Sequence, residues 1–136
     1  MLGKTRRAEM IAVLEDYVKR ISRSCPIEAV EVRDVNAALK RLDANRAGFS
    51  VLLDAGGKTY DSEAFAKYIG NQRDRGLREI IFVCGDADGF PDSLRERVKQ
   101  KVSLSAMTYS HELARVMLAE QIYRAFAILS GSAYPK

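Results

Sequence analysis

Phe49-Ser50-Val51-Leu52-Leu53-Asp54 is a compact and nearly all-apolar run, and Glu79-Ile80-Ile81-Phe82-Val83-Cys84 repeats the pattern further along the chain. A strand with one face in water alternates apolar and polar residues. A run that is apolar throughout suits a strand covered on both faces, as in a parallel sheet. Between the two runs, Asp61 or Ser62 can cap a helix that closes at Gly76. Strand, helix, strand in that order predicts an α/β fold with a mainly parallel sheet and helices on both faces.

Working outward, the residues from Thr5 to Ser24 place Met10, Val13, Leu14, Tyr17, Val18 and Ile21 at three-and-four spacing, the apolar face of an amphipathic helix. Cys25-Pro26 breaks it, because proline disfavours helix in the residue before it. Ile27 to Val32 alternates and reads as a strand, and Asp34 to Arg46 as a shorter helix ended near Gly48. Beyond the second apolar run, Asp92 or Ser93 starts a short helix through Val98, and Lys101 to Leu104 forms a last short strand. Ser110 then caps a long helix from His111 to about Ser130. That helix is apolar on several faces, as expected of one that packs against a second copy of the chain. The segment from Gly131 to Lys136 reads as a frayed tail.

Composition narrows the class. The 136 residues fit one domain spanning 1–136, and 47% apolar residues argue against disorder. No apolar stretch approaches the roughly 18 residues of a membrane span. The opening MLGKTRRAEM lacks the apolar segment of a signal peptide, so a cytoplasmic protein is expected. Twenty-two Lys and Arg against 18 Asp and Glu leave +4, which permits a nucleic-acid partner without requiring one. Cys25 and Cys84 form no CxxC pair and His111 is the sole histidine, so neither a disulfide framework nor a metal site is expected.

In open parallel sheets, ligands bind beyond the carboxyl ends of the strands. Here those ends lead into the loops after Leu53, Cys84 and Leu104. Gly56-Gly57-Lys58-Thr59 has a phosphate loop's ending, but Leu52 stands where its first glycine belongs, so a plain turn is expected. Gly85 and Gly89 flank an acidic loop and allow close backbone approach or positive φ; Asp86 and Asp88 there read as solvated or capping groups. Leu104-Ser105-Ala106-Met107-Thr108-Tyr109 offers small residues whose backbone groups can hydrogen-bond a flat polar edge such as adenine.

The segment Ser105-Ala106-Met107-Thr108-Tyr109-Ser110-His111-Glu112-Leu113-Ala114-Arg115-Val116-Met117-Leu118-Ala119-Glu120-Gln121-Ile122-Tyr123-Arg124-Ala125 closely resembles the C-terminal signature of the RlmH family, with Ser110 in place of the usual proline. Leu53-Asp54 followed by Gly57-Lys58, then Gly85 through Gly89, then an ending with Tyr134 and a basic residue, occur in the family's order. The family comprises SPOUT-class methyltransferases that act on a pseudouridine of 23S ribosomal RNA. The resemblance implies a SPOUT fold with a C-terminal trefoil knot, a homodimer, and S-adenosylmethionine as methyl donor. It places the donor at Leu53, Gly85, Leu104, Ser105, Ala106, Met107, Thr108 and Tyr109, and methyl transfer at N3 of the pseudouridine.

Three departures accompany it. The family ends Tyr-His-Lys or Tyr-His-Arg, whereas this chain ends Tyr134-Pro135-Lys136, which leaves Tyr134 and Lys136 as the candidate catalytic residues. A non-catalytic ribosome-binding or assembly factor on the same fold is the alternative this opens. Asp86 follows Gly85 where the family has a second glycine. Relatives also begin with a β-strand before the Gly3-Lys4-Thr5-Arg6 region. Only Met1-Leu2 precede it here, so the N-terminal strand is expected to be missing, with the native start upstream or a sheet edge uncovered.

Overall fold

A computed structural model of the chain describes residues 1–86, 88–98 and 100–131. The elements are α1 (Ala8–Ile21), α2 (Val35–Ala44), β1 (Phe49–Thr59), α3 (Ser62–Asp74), β2 (Ile80–Cys84), α4 (Asp92–Arg97), β3 (Gln100–Ser103) and α5 (His111–Leu129). β1 is central and pairs in parallel with β2 on one side and β3 on the other. The two apolar runs that predicted a parallel sheet are thus neighbours, with Phe49 opposite Ile80 and Leu53 opposite Cys84.

Successive side chains of a strand point to opposite faces, and here both faces are covered. Val51, Cys84 and Val102 lie in one core with Phe65, Ala66 and Ile69 of α3 and Leu118 and Ala125 of α5. Leu52 and Val83 lie in a second core with Ala38 and Leu42 of α2, Leu94 of α4, and Val98. α1 packs on α5 outside the first layer. Three helices start as their polar caps direct. Asp34 accepts from the Ala37 amide at 2.9 Å, Asp61 from Ala64 at 2.7 Å and Ser110 from Leu113 at 3.3 Å. α4 begins instead after Pro91 without a side-chain cap.

The sequence expectations are corrected in two places, the N-terminal region and residues 55–59. Residues 27–32 do not form a strand over their length. Pairing is confined to the end of the segment: the Met1 amine donates to the Val30 carbonyl at 2.8 Å, the Val32 amide to the Met1 carbonyl at 2.8 Å and the Gly3 amide to the Val32 carbonyl at 2.9 Å, and Val32 packs, part-buried, against the second core. The expected open edge beside β2 is also partly filled. The Leu2 amide donates to the Cys84 carbonyl at 2.9 Å, and Leu2 is buried in the second core.

The second correction concerns 55–59, read as a turn. This stretch continues β1, with a register break against β3: Val102 lies opposite Leu53 before the break and Lys58 after it. Gly57 permits this. A Cβ on Gly57 would sit 2.7 Å from both the Lys101 carbonyl carbon and the Val102 nitrogen. The glycine pair therefore marks close approach between two strands, a meaning that a turn signal in sequence does not distinguish.

Candidate active site

Leu53, Gly85 and Leu104 come together because their strands are neighbours. Leu53 stands opposite Cys84 on one side and Val102 on the other; Gly85 directly follows Cys84, and Leu104 follows β3. Adjacent strands lie about 4.8 Å apart, so the loops that follow β2 and β3 open on the rim beside Leu53, while β1 itself runs on to Thr59.

The loop after β3 is shaped by serines. The buried Ser103 hydroxyl donates to the Ser105 carbonyl at 2.8 Å, and the Met107 amide donates to the Ser105 hydroxyl at 3.0 Å. Ala106, Thr108 and Tyr109 are exposed, and Met107 is 72% exposed. Among the described residues, the amides of Ala106, Thr108 and Tyr109 have no protein partner. Three backbone donors thus face outward from a loop whose base is fixed.

The loop after β2 turns back on itself. Asp86 bridges Gly89 in antiparallel fashion, the Gly89 amide donates to the Asp86 carbonyl at 3.1 Å, and Gly89 sits at φ +77°. A Cβ on Gly85 would meet the Gly89 carbonyl oxygen at 3.2 Å. A side chain at Gly85 would therefore crowd the turn itself, whatever approaches from outside. The Asp86 carboxylate accepts from the Asp88 amide at 2.9 Å and so caps its own turn, as the sequence suggests. Tyr134, Pro135 and Lys136 lie outside the described residues.

With this rim in view, the family assignment is direct. The family described as predicted SPOUT methyltransferase matches residues 1–135. The chain belongs to the SPOUT methyltransferase family. Among curated relatives, a protein of Pelobacter propionicus named Ribosomal RNA large subunit methyltransferase H is 40% identical over 144 residues, covering 98% of this chain and 94% of the relative. Proteins of the same name from Koribacter versatilis and Geobacter sulfurreducens are 38% and 37% identical, again over 98% of this chain and over 92% and 94% of theirs.

Two features of this SPOUT chain escape sequence reasoning. Asp54, next to Leu53, keeps a side chain only 11% exposed, and its Oδ2 lies 3.1 Å from Arg95 Nη1 of α4. Arg95 Nε in turn donates to the Phe90 carbonyl at 3.2 Å, tying the end of β1 to the stretch that follows Gly89. Residues so distant in sequence carry no signal of pairing. The other is Arg115 of α5, which is 1% exposed and donates through Nη1 to the Thr5 hydroxyl at 2.9 Å and through Nη2 to the Leu2 carbonyl. As a conspicuous arginine in an apolar helix it could have been singled out, but its partners are visible only in the fold.

A cavity of about 250 Å³, lined by Tyr60, Asp61, Ser62, Leu104 and Gln121 among others, adjoins the rim at Leu104. The Ser62 hydroxyl donates to Gln121 Oε1 there at 2.8 Å, and Arg124 pairs with Glu120 at 2.6 Å. A larger hollow of about 400 Å³ lies under α1, lined by Leu14, Val18 and Glu31, and touches none of the predicted site residues. Much of the basic charge is paired locally, as Arg7 with Glu9 at 3.1 Å and Arg20 with Asp16 at 3.0 Å. Among the described residues, no cluster of three or more His, Cys, Asp or Glu could hold a metal, and no helix is long and apolar enough to cross a membrane.

Proposed function

We propose that this methyltransferase uses S-adenosylmethionine to methylate N3 of a pseudouridine in 23S ribosomal RNA of the large subunit. The observation that carries the reading is the convergence of Leu53, Gly85 and the 104–109 loop on one rim of a SPOUT chain. Its relatives are named for methylation of large-subunit ribosomal RNA. The exposed amides of Ala106, Thr108 and Tyr109 suit the polar edge of adenine, and Leu53 supplies an apolar wall. S-adenosylmethionine brings an activated methyl group. The chain's part is to align the acceptor nitrogen with the methyl carbon and sulfur, since positioning by itself lowers such barriers by several kcal/mol, roughly 7–11 in well-oriented intramolecular reactions. The N3 imide proton is weakly acidic, and Tyr134 and Lys136 are the residues we assign to hydrogen-bond the base and to stabilise the anion.

The working unit is a homodimer in a cytoplasmic setting, with the C-terminal segment threaded as the trefoil knot of the family. A drug-sized ligand site usually holds about 300–1,000 Å³, and the cavity beside Leu104 is smaller. A second copy that closes the rim accounts for this. The reading is tested by titrating S-adenosylmethionine calorimetrically into purified protein, and by mass spectrometry of 23S ribosomal RNA from cells with and without the gene. Loss of one methylated pseudouridine is expected; unchanged methylation refutes it. The second reading, a non-catalytic ribosome-binding or assembly factor, is favoured by Pro135 standing where the family has histidine. It gains if ribosomes bind the protein but are never methylated by it.

A further inference from the structure

We propose that Arg115 is a positioning residue for the methyl donor: its buried guanidinium holds the Gly85 carbonyl, and with it the turn closed by Asp86 and Gly89, in the shape that receives the donor. This rests on the donor reading above and adds to it a residue that touches no substrate.

The geometry is a closed circuit. The Leu2 amide donates to the Cys84 carbonyl at 2.9 Å. Arg115 Nη2 reaches both the Leu2 carbonyl and, at 3.4 Å, the carbonyl of Gly85, the residue after Cys84. Nη1 is fixed on the Thr5 hydroxyl at 2.9 Å. Arg115 therefore binds the N-terminal segment to the end of β2 at the point where the chain leaves the sheet. It does so from α5, the helix that the 104–109 loop runs into. One side chain thus links the Gly85 segment to the helix that follows the 104–109 loop.

The price of burial argues that these contacts matter. Arg115 has no ion-pair partner among the described residues, and its Nε is buried without an acceptor. A buried cation hydrogen-bonded only to carbonyl and hydroxyl oxygens, with the Glu112 carboxylate acting on it through space, is a poor way to fill space, and an apolar side chain of similar volume usually does so at lower free energy. What an apolar side chain cannot do is hydrogen-bond three oxygens from two segments at once, which the guanidinium does here. Lysine keeps the charge but is a point donor on a shorter stem.

Glu112 provides the control. One turn earlier on α5, its Oε1 accepts from the amides of Arg6 and Arg7 at 3.1 and 3.0 Å. It anchors the same N-terminal segment without touching Gly85. Full-length Arg115→Lys and Glu112→Gln are compared by calorimetric titration with S-adenosylmethionine, thermal melting, and hydrogen exchange of the ligand-free proteins. Arg115→Lys is expected to raise the donor Kd about tenfold or more, the effect of losing a hydrogen bond to a charged group. It should also speed exchange at Asp88 and Gly89, whose amides donate to Asp86. At saturating donor its kcat should stay within about threefold of wild type, because the chemistry lies elsewhere. Glu112→Gln is expected to lower the melting temperature while the donor Kd stays within about twofold, far less than the loss of a charged hydrogen bond.

Equal effects of the two variants on Kd, or a folded Arg115→Lys protein with unchanged Kd, overturn the proposal in favour of plain anchoring. If Arg115→Lys does not fold, the wild-type protein carries the test by nuclear magnetic resonance. S-adenosylmethionine must then slow exchange of the Arg115 guanidinium protons together with the Gly85 and Gly89 amides, and protection of the turn without any change at Arg115 overturns the clamp. Should wild-type protein bind no donor, the donor reading fails, while exchange at Gly89 in the two variants still decides whether Arg115 shapes the turn.

Discussion

Gly56 and Gly57 are adjacent, yet alanine at the two positions is expected to act in opposite directions. At Gly57 the added Cβ would lie 2.7 Å from the Lys101 carbonyl carbon and the Val102 nitrogen, and 2.9 Å from the Lys101 oxygen. Carbon contacts are comfortable at about 3.5–4.0 Å, so relief requires the strands to part by roughly 1 Å. The obstructing atoms are backbone of β3, whose Val102 is paired with Lys58, and cannot swing aside. Overpacking of this kind costs about 1–3 kcal/mol, and a rigid neighbour puts Gly57→Ala near the upper end. At roughly 3–5 °C per kcal/mol for a domain of this length, the melting temperature should fall by roughly 6–15 °C. Because β3 runs straight into Leu104, donor affinity should fall with it. At Gly56 the nearest atom is Asp54 Oδ1 at 4.0 Å, and the backbone is outside the positive-φ region. Gly56→Ala should therefore stabilise by about 0.4–1 kcal/mol through the unfolded chain. Thermal melting and urea unfolding of the two variants beside wild type check this. A Gly57→Ala protein as stable as wild type, or a Gly56→Ala protein equally damaged, would refute the strand-contact argument and return 55–59 to the status of a simple turn.

Other expectations concern titratable groups. Burial, with Tyr60 adding to it, pushes the Tyr68 phenol up to about 12, and its hydroxyl is buried without a partner. The neutral phenol contributes stability below the ordinary tyrosine pKa near 10, and this is lost as pH rises towards 12. Tyr68→Phe should remove the late step from the tyrosinate absorbance titration, soften alkaline destabilisation, and leave neutral-pH stability equal or up to about 1 kcal/mol higher. The Arg7 amide, then the Arg6 amide, holds the Glu112 carboxyl below its usual range against the opposing effect of burial. Its contribution is present above the ordinary carboxylate pKa and lost as pH falls through the lowered one, so Glu112→Gln should flatten the acid limb of urea-unfolding stability. Burial raises both thiols, but Cys84 is 5% exposed whereas Cys25 is half-buried. A thiol reagent should label Cys25 slowly in the native protein and Cys84 only on unfolding; labelling of both at one rate would contradict the burial.

The sequence was most legible where local chemistry and burial agree. Val51, Leu52, Val83 and Cys84 alternate between two cores, and that is why their strands are apolar throughout. Asp34, Asp61 and Ser110 cap helices because a short polar side chain reaches its own backbone, a matter of a few residues. The segments we propose for the donor were singled out by the rule that ligands meet strand ends, and by family likeness. The strand expected over 27–32 shrinks to a pairing of 30–32 with the first three residues, because among its side chains none is fully buried and Val32 alone packs against the second core.

By itself, the sequence determined the element order, the parallel sheet with two covered faces, the SPOUT family and the segments that form the rim. These follow from periodicity, capping and contiguous motifs, which act within a few residues or a few turns. Only the tertiary structure decided that Gly57 lies against β3, that Arg95 ties Asp54 to Phe90, and that Arg115 holds Leu2, Thr5 and Gly85 together. Each joins residues distant along the chain. Whether a glycine is a turn or a close contact, and whether a buried arginine is fully partnered, depends on what the fold brings to it, and no local pattern encodes that.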